Sequence, residues 1–468
     1  MTSGSWRREG GGPRPEALAE LSELRGADGL LVDDLAAYGS DATEHAGLYA
    51  PPDAVALPQS TSEVQGIVRW ATEHRIPLVP RGGGSGFAGG AVAVDGGVVV
   101  DLTRMNRILE FRPEPWQIHV QAGVVTATLQ RIVRESGLRF PPDPGAAEQS
   151  QIGGNIATNA GGPHAFKYGV TGSWVTGLEA VIPPGDVVSF GGPIRKDVGA
   201  YDIAHLLVGS EGTLAIITSA WLRLIPAPEA EVPVVAAYAG VADGCEAILR
   251  TLASGCVPAA IEFLDGGALT AARGSFPVEL PEAATFLVIT EADGSELEAR
   301  AAAVELREAL SPSAAMLWSP VERREVRALW RWREGVSLAV SSQRGGKLSE
   351  DIVVPLDRLR EAIERTVQIG QAHGLPACSW GHAGDGNLHS TFMIDASVAS
   401  EVSRAREAGH ELHRMAVELG GSISGEHGIG WWKRGELGLA LGARELQLHK
   451  RIKRLFDPDG IMNPGKKE

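Results

Sequence analysis

Two short segments in the C-terminal half bring chemically able groups together at close spacing. Gly381-His382-Ala383-Gly384-Asp385-Gly386-Asn387-Leu388-His389 sets two imidazoles around a Gly-Asp-Gly turn, so that both can converge on one point. Ser424-Gly425-Glu426-His427-Gly428-Ile429-Gly430 sets a carboxylate beside an imidazole with glycines on both flanks. Neutral imidazoles and a carboxylate suit a divalent ion such as zinc or manganese, with positions left open for substrate. Hydrogen-bonded loop histidines fit the same spacing. Trp330-Arg331-Trp332-Arg333-Glu334 adds guanidinium groups, which grip a carboxylate through two parallel hydrogen bonds. Arginines on a helix face with their heads in water give the same pattern. The remaining histidines are ordinary: His45, His74, His119, His373 and His449 have no special neighbours. His410-Glu411-Leu412-His413 has i, i+3 spacing, where a zincin needs i, i+4, and reads as a solvated helix face.

The chain also holds 59 glycines, and they cluster. In Arg81-Gly82-Gly83-Gly84-Ser85-Gly86-Phe87-Ala88-Gly89-Gly90, the span Gly84 to Gly89 satisfies G-x-G-x-x-G. A Rossmann turn must open a helix whose N-terminus binds the pyrophosphate. Here Ala91 to Leu102 is Val-rich around Asp95-Gly96-Gly97 and reads as hairpin and strand. A glycine run between strands still exposes successive backbone N–H groups as a concave anion nest, suited to a diphosphate. A flexible surface loop has the same composition. The second cluster comprises Pro141-Pro142-Asp143-Pro144-Gly145, the run from Ile152 to Gly162 and Lys167-Tyr168-Gly169. Its small residues and interleaved asparagines let backbone approach a flat ring and offer amide donors to it. Gly209-Ser210-Glu211-Gly212-Thr213 to Thr218 forms the third.

The elements that must position these groups alternate between periods of 2 and 3.6. The spacing predicts helices over Glu16 to Leu24, after a cap at Ser60 to Ser62, and over Thr126 to Ser136. Strands are expected at Val55 to Leu57, Ile76 to Val79, Val98 to Leu102, Ile118 to Gly123, Leu178 to Ile182 and Gly212 to Leu224. Pro226 and Pro228 mark a boundary. Beyond it come β segments at Val232 to Tyr238 and Phe286 to Ile289, then helices at Glu296 to Ala309, Val398 to Leu419 and Ala443 to Phe456. The class is α+β in two domains.

Composition narrows the function. Forty-three Lys and Arg against 58 Asp and Glu give a net charge of −15, contrary to the basic footprint of a nucleic-acid binder. No stretch approaches the apolar length of a membrane span. Met1 to Pro15 lacks an apolar core and reads as a loose tail. Cys245, Cys256 and Cys378 are too scattered for a disulfide framework or a thiolate metal site and fit a reducing compartment.

In order and spacing, the three glycine-rich segments resemble the PCMH-type FAD-binding domain of the vanillyl-alcohol oxidase and p-cresol methylhydroxylase family, over about residues 50–227. The two histidine motifs, with Asn463-Pro464-Gly465-Lys466, resemble the FAD-linked oxidase C-terminal domain over residues 228–468. That pairing is similar to D-lactate dehydrogenases, D-2-hydroxyglutarate dehydrogenases and the flavoprotein subunit of glycolate oxidase. The resemblance implies a two-part FAD-binding domain followed by an α/β substrate (cap) domain with a helical C-terminal segment, after a lead-in over residues 1–49. It implies that Arg81, Gly82, Gly83, Gly84, Ser85 and Gly86 wrap the pyrophosphate. Pro142, Asp143, Gly145, Gly153, Gly154, Asn155, Thr158, Asn159, Gly161, Gly162, Tyr168, Gly169, Glu211, Gly212 and Ile217 would line the ribose and isoalloxazine, with Asn463 beside the flavin. Relatives commonly have glycine where this chain has Ala215. Relatives often hold the flavin through a histidine in the first loop; none stands between Arg81 and Gly90, so noncovalent FAD is expected.

The same resemblance makes His382, His389 and Glu426 ligands of a divalent metal, Zn2+ or Mn2+, and His427 the catalytic base. It favours Arg333 for the substrate carboxylate and adds Lys347. The implied activity is FAD-dependent dehydrogenation of a 2-hydroxy acid, the D-enantiomer, with D-lactate, D-2-hydroxyglutarate and glycolate as candidates. The electron acceptor would be a quinone, a cytochrome, an electron-transfer flavoprotein, an iron–sulfur subunit or oxygen. Two rivals are an electron-relaying subunit of a multi-subunit glycolate oxidase and an ether-forming exchange like that of alkyl-glycerone-phosphate synthases. The expected location is the cytoplasm, with peripheral attachment to the inner face of a membrane and a homodimer both left open. Trp431-Trp432-Lys433-Arg434 is either an interaction surface or core and rim.

Overall fold

The computed structural model describes residues 15–26, 28–43 and 48–467. The expected tail before Pro15 and His45 lie outside them. The described residues divide into two compact units: those up to 160, with 170–227 and 426–467, form the first, and residues 161–169 and 228–425 the second.

The first unit holds two main sheets. One has the strand order Leu30–Leu31, Ala54–Ala56, Val98–Asp101, Leu78–Arg81, the last three being parallel. Parallel strands are buried on both faces. Here Val55, Val79 and Val99 enter one apolar cluster, while Ala54, Ala56, Leu78, Val98 and Val100 enter another. The crossover helix Thr61–His74 starts where Ser60 accepts the N–H of Glu63, and it buries Val64, Ile67, Val68 and Ala71 as their spacing predicts. Turns and then a strand, not a helix, follow the glycine run. The second sheet is antiparallel, ordered Ile108–Arg112, Gln117–Gln121, Ile216–Arg223, Val175–Ile182, Asp186–Gly191.

Two local readings change. The strand expected from Gly212 begins only at Ile216, because Gly209, Glu211 and Gly212 have φ of +71°, +54° and +70° and close a tight loop. Within the second glycine cluster, Ile152–Thr158 is a helix despite its two glycines. A Cβ on Gly153 would stand 2.7 Å from that of Ala122, so close packing requires glycine there.

The second unit is built on a seven-stranded antiparallel sheet. Its order is Met316–Trp318, Ala230–Tyr238, Phe286–Gly294, Ala260–Leu264, Ala377–His382, Asn387–Ile394, Gly346–Val353. Side chains alternate across a sheet, and directly opposed residues share a face. The register therefore gathers Lys347, Asp351, His389, His382, Glu262, Glu291 and Asp293 on one face. The apolar part of that face packs Leu264, Leu287, Ile289 and Trp380 with Ala268, Leu269, Leu329 and Val336 from helices Gly266–Ala272, Arg323–Glu334 and Val336–Ser342.

Helix Ala399–Glu418 lies against the opposite face, where His413 pairs with Glu350 at 3.0 Å. His413 is buried, so the solvated-face reading holds for His410 alone; residue 413 falls on the stripe with Gly409, Leu412 and Ala416.

Candidate active site

Arg81 ends its strand and feeds the glycine loop. Its guanidinium donates to the Ala91 carbonyl at 3.3 Å and lies 5.7 Å from the Tyr38 ring centre. A Cβ on Gly83 would stand 1.9 Å from the Gln149 carbonyl oxygen. Gly84 has φ +65°, and a Cβ there would meet the Arg81 guanidinium at 2.3 Å. Gly82 lies against Gln151 and Gly154, so loop and helix Ile152–Thr158 pack with bare backbones facing. Gly86, Gly145 and Gly154 have no protein atom within 4 Å of where a Cβ would project. Among the described residues, the N–H groups of Gly83, Gly84, Ser85 and Gly86 donate to no backbone carbonyl. Consecutive unspent donors on bare backbone fit an anionic diphosphate.

Several polar groups expected at the flavin have partners within the protein. Asn155 donates to Thr126 at 2.7 Å, Thr158 to the Gly154 carbonyl at 3.1 Å, and Asn159 accepts the Gly172 N–H at 2.8 Å. The Pro142 carbonyl accepts from Gln130 at 2.9 Å; Asp143 is half-buried, and Ile217 is buried in its strand beside Ala180. Gly212 sits against Pro80, the residue before Arg81. The neighbouring Glu211 turns its carboxylate to the N–H groups of Ile429 and Gly430 and to Lys467.

Asn463 is buried, and its amide is spent internally: Nδ2 donates to the carbonyls of Gly90 at 3.0 Å and Glu211 at 2.8 Å, while Oδ1 accepts from Lys466. Lys466 also donates to the Val92 carbonyl. Burial pushes its ammonium down to about 7, against the pull of Asp41, Asp95 and Glu211. The last residues thus tie the segment at Gly90 to Val92 to the loop at Glu211, a link the sequence signalled only through Asn463-Pro464-Gly465-Lys466. In the same unit Glu426 and His427 lie side by side, Oε1 to Nε2 4.0 Å, and the His427 ring stands 4.6 Å from that of Phe87. Trp431 and Trp432 both donate to the Ala88 carbonyl, and Arg434 covers the Trp431 ring at 3.5 Å.

The second unit carries the first histidine motif as a hairpin. His382 ends one strand and His389 lies in the next; their rings meet edge to face at 5.4 Å, with ring nitrogens within 4.8 Å. His382 Nδ1 pairs at 2.6 Å with Oε1 of Glu262, whose side chain is fully buried. A hydrogen bond donated from Nδ1–H to that oxygen leaves Nε2 as the lone-pair nitrogen. Oε2 of the same carboxylate lies 2.5 Å from Nη2 of Arg333. Arg333, the guanidinium that the resemblance favoured, is buried, while Arg331 is exposed. Lys347 donates to Ser337 at 2.8 Å and lies over the Trp380 ring at 5.3 Å.

Asp351 accepts from Asn387 at 2.6 Å, from Ser424 at 2.9 Å and from the N–H of Gly425 at 2.8 Å, fixing the chain just before Glu426. Asp265 caps helix Gly266–Ala272 and accepts the Ser379 N–H; burial pushes its carboxyl up to about 7. Segment 161–169 belongs to this unit. Its Tyr168 hydroxyl and Lys167 both donate to buried Asp293, and His164 pairs with Glu291 at 2.8 Å. Gly161, Gly162 and Gly169 bracket that segment. Sequence reasoning missed Glu262 and Asp351. The available signal for Glu262 was one carboxylate inside the apolar run Ala260-Ile261-Glu262-Phe263-Leu264.

No helix among the described residues is long and apolar enough to cross a membrane. The chain matches the FAD binding domain model over residues 52–191 and the model of the FAD linked oxidases, C-terminal domain, over residues 227–467. It is 37% identical over 435 residues to the glycolate oxidase subunit GlcD of Bacillus subtilis, covering 92% of this chain and 91% of that one. It is 32% identical over 449 residues to a D-lactate dehydrogenase of Anaerostipes hadrus, covering 93% and 91%. The D-2-hydroxyglutarate dehydrogenase of Stutzerimonas stutzeri is 34% identical over 463 residues, covering 97% and 98%. Substrate-bound p-cresol methylhydroxylase shares the fold at TM-score 0.79 and 18% identity, covering 97% of this chain and 96% of that one. With the FAD-binding model matched ahead of the C-terminal one, and relatives of nearly equal length named as dehydrogenases or an oxidase subunit, the chain belongs to the FAD-linked oxidase family and is an FAD-linked oxidoreductase.

Proposed function

We propose that this enzyme dehydrogenates a small D-2-hydroxy acid, of the lactate, 2-hydroxyglutarate or glycolate type. The observation that carries the reading is Glu262, one buried carboxylate in contact with both a candidate metal-ligating histidine and a candidate carboxylate-binding arginine. The first unit, with residues 170–227 and 426–467, would form the flavin-binding part, and the second, with residues 161–169 and 228–425, the substrate part. FAD, held noncovalently, supplies the two-electron acceptor for the hydride leaving Cα. His382, His389 and Glu426 would hold a divalent ion, Zn2+ or Mn2+, which would lower the pKa of the substrate hydroxyl.

The protein's own residues do the rest. His427 takes the hydroxyl proton at a ring nitrogen, as a positioned general base. Arg333 grips the carboxylate and fixes which way the C–H bond points. Lys347 adds positive charge on the same sheet face. Relatives named as an oxidase subunit favour a separate protein as the final electron acceptor.

The test is an anaerobic visible spectrum of the flavin-loaded protein before and after adding D-lactate, D-2-hydroxyglutarate and glycolate, with L-lactate as control. Bleaching by a D-acid or glycolate supports the reading. A flavin that stays oxidised with all of them overturns it.

A further inference from the structure

We infer that Glu262 is a positioning residue that couples the ion site to the substrate anchor, setting through one carboxylate both the ligating nitrogen of His382 and the placement of Arg333. This rests on the reading of His382 as a metal ligand and Arg333 as the carboxylate anchor.

Glu262 and His382 are direct Cα partners on adjacent antiparallel strands, so backbone hydrogen bonding fixes their separation independently of either side chain. Both neighbours of Glu262 along its strand, Ile261 and Phe263, are buried apolar residues, and Glu262 itself is 0% exposed. A carboxylate in that setting loses its hydration, and replacing a buried ion pair with packed apolar groups is often neutral or stabilising. Core packing alone therefore gives no reason for a carboxylate at 262.

Its two oxygens are divided between two jobs. Oε1 accepts a hydrogen bond from His382 Nδ1 at 2.6 Å, which orients the ring and leaves Nε2 for an ion; outer carboxylates act in this way on metal-bound histidines. Oε2 lies 2.5 Å from Nη2 of Arg333, but the contact lacks hydrogen-bond alignment. Among the described residues, Nε and Nη2 of Arg333 are buried without a hydrogen-bond acceptor. Charge attraction thus holds the guanidinium while leaving donor capacity for a substrate carboxylate.

The test uses the full flavin-loaded chain, stripped with a chelator and titrated with Zn2+ and, separately, Mn2+. Glu262→Gln alone leaves a buried guanidinium unpaired and risks misfolding. The decisive comparison is therefore Arg333→Met against Glu262→Gln/Arg333→Met, which differ only at residue 262. Metal affinity is expected to be about 10–100-fold lower in the double variant than in Arg333→Met. In metal-saturated enzyme, Glu262→Asp is expected to raise KM for the hydroxy acid more than it lowers kcat, because the shorter carboxylate displaces Arg333. Equal metal affinity in the single and double variants, at matched thermal midpoints, overturns the inference alone. A wild-type protein that binds neither metal overturns the ligand assignment, and the inference with it.

Discussion

The carboxylate of Glu211 accepts the backbone N–H of Gly430 at 2.6 Å across 219 residues of sequence, and takes that of Ile429 at 3.0 Å as well. The left-handed backbone at Glu211, φ +54°, aims the side chain into this position. Two loops, one read as lining the flavin and one carrying His427, therefore share a single anchor. Hydrogen bonds to a charged group contribute about 1.5–3 kcal/mol each. Glu211→Ala should destabilise the first unit by about 3 kcal/mol or more, visible as a lower urea midpoint. Glu211→Gln retains one acceptor and should fall between. If both variants unfold with wild type, the anchor has no energetic weight.

The glycine loop makes a sharper test, because its glycines differ in what a methyl group would meet. Gly83→Ala requires the backbone to move away from the Gln149 carbonyl, and Gly84→Ala imposes a left-handed conformation on alanine as well as crowding Arg81. The left-handed strain alone costs about 1–2 kcal/mol, or roughly 5–30-fold in apparent FAD affinity. Gly86→Ala meets no protein atom. It should keep the fold and weaken FAD only by crowding the ligand. Flavin content after gel filtration and FAD titration of the apoproteins rank the three. A loop indifferent to alanine at 83 and 84 would not be the one that wraps the diphosphate.

What the sequence made legible was local. The strands around the glycine run, the rejection of a dinucleotide turn at Gly84 to Gly89 and the helix Ala443–Phe456 all follow from period and punctuation within a dozen residues. What stayed hidden depends on pairing between distant segments. Glu262 lies in a run that reads as a plain apolar strand, and only the register opposite His382 gives it a role. Helix Ile152–Thr158 was masked by glycines that its packing against Ala122 requires. His413 looked solvated because the sequence does not reveal that Glu350 waits on the sheet beneath.

Removing the proposed metal gives the next prediction. Dialysis of the flavin-loaded enzyme against a chelator should abolish substrate bleaching while leaving the oxidised flavin spectrum intact, and Zn2+ or Mn2+ should restore it. His389→Ala should bind metal at least 10-fold more weakly. His427→Ala should keep wild-type metal and flavin content yet bleach about 10²–10⁴-fold more slowly, the usual contribution of a positioned base. Full bleaching by chelated enzyme would remove the ion from the chemistry and return His382 and His389 to loop histidines.

Lys466 sets the final expectation, because its charge is expensive where it sits. Its Nζ donates to the Val92 carbonyl at 2.5 Å and to Asn463 Oδ1 at 2.6 Å, and burial pushes its ammonium from the ordinary 10.5 down to about 7. Between pH 7 and 10.5 the unfolded chain binds a proton that the folded one does not, so the contribution of this residue to stability rises with pH across that window. Below pH 7 both states are protonated and the full cost of the buried charge is present. The slope reaches at most about 1.4 kcal/mol per pH unit. Lys466→Met removes the titration together with both hydrogen bonds. The stability gap between wild type and variant should therefore widen in favour of wild type from pH 7 to 9.5, read from urea midpoints at each pH. Parallel pH profiles for the two proteins would show that Lys466 keeps its proton in the fold, with Asp41, Asp95 and Glu211 outweighing its burial.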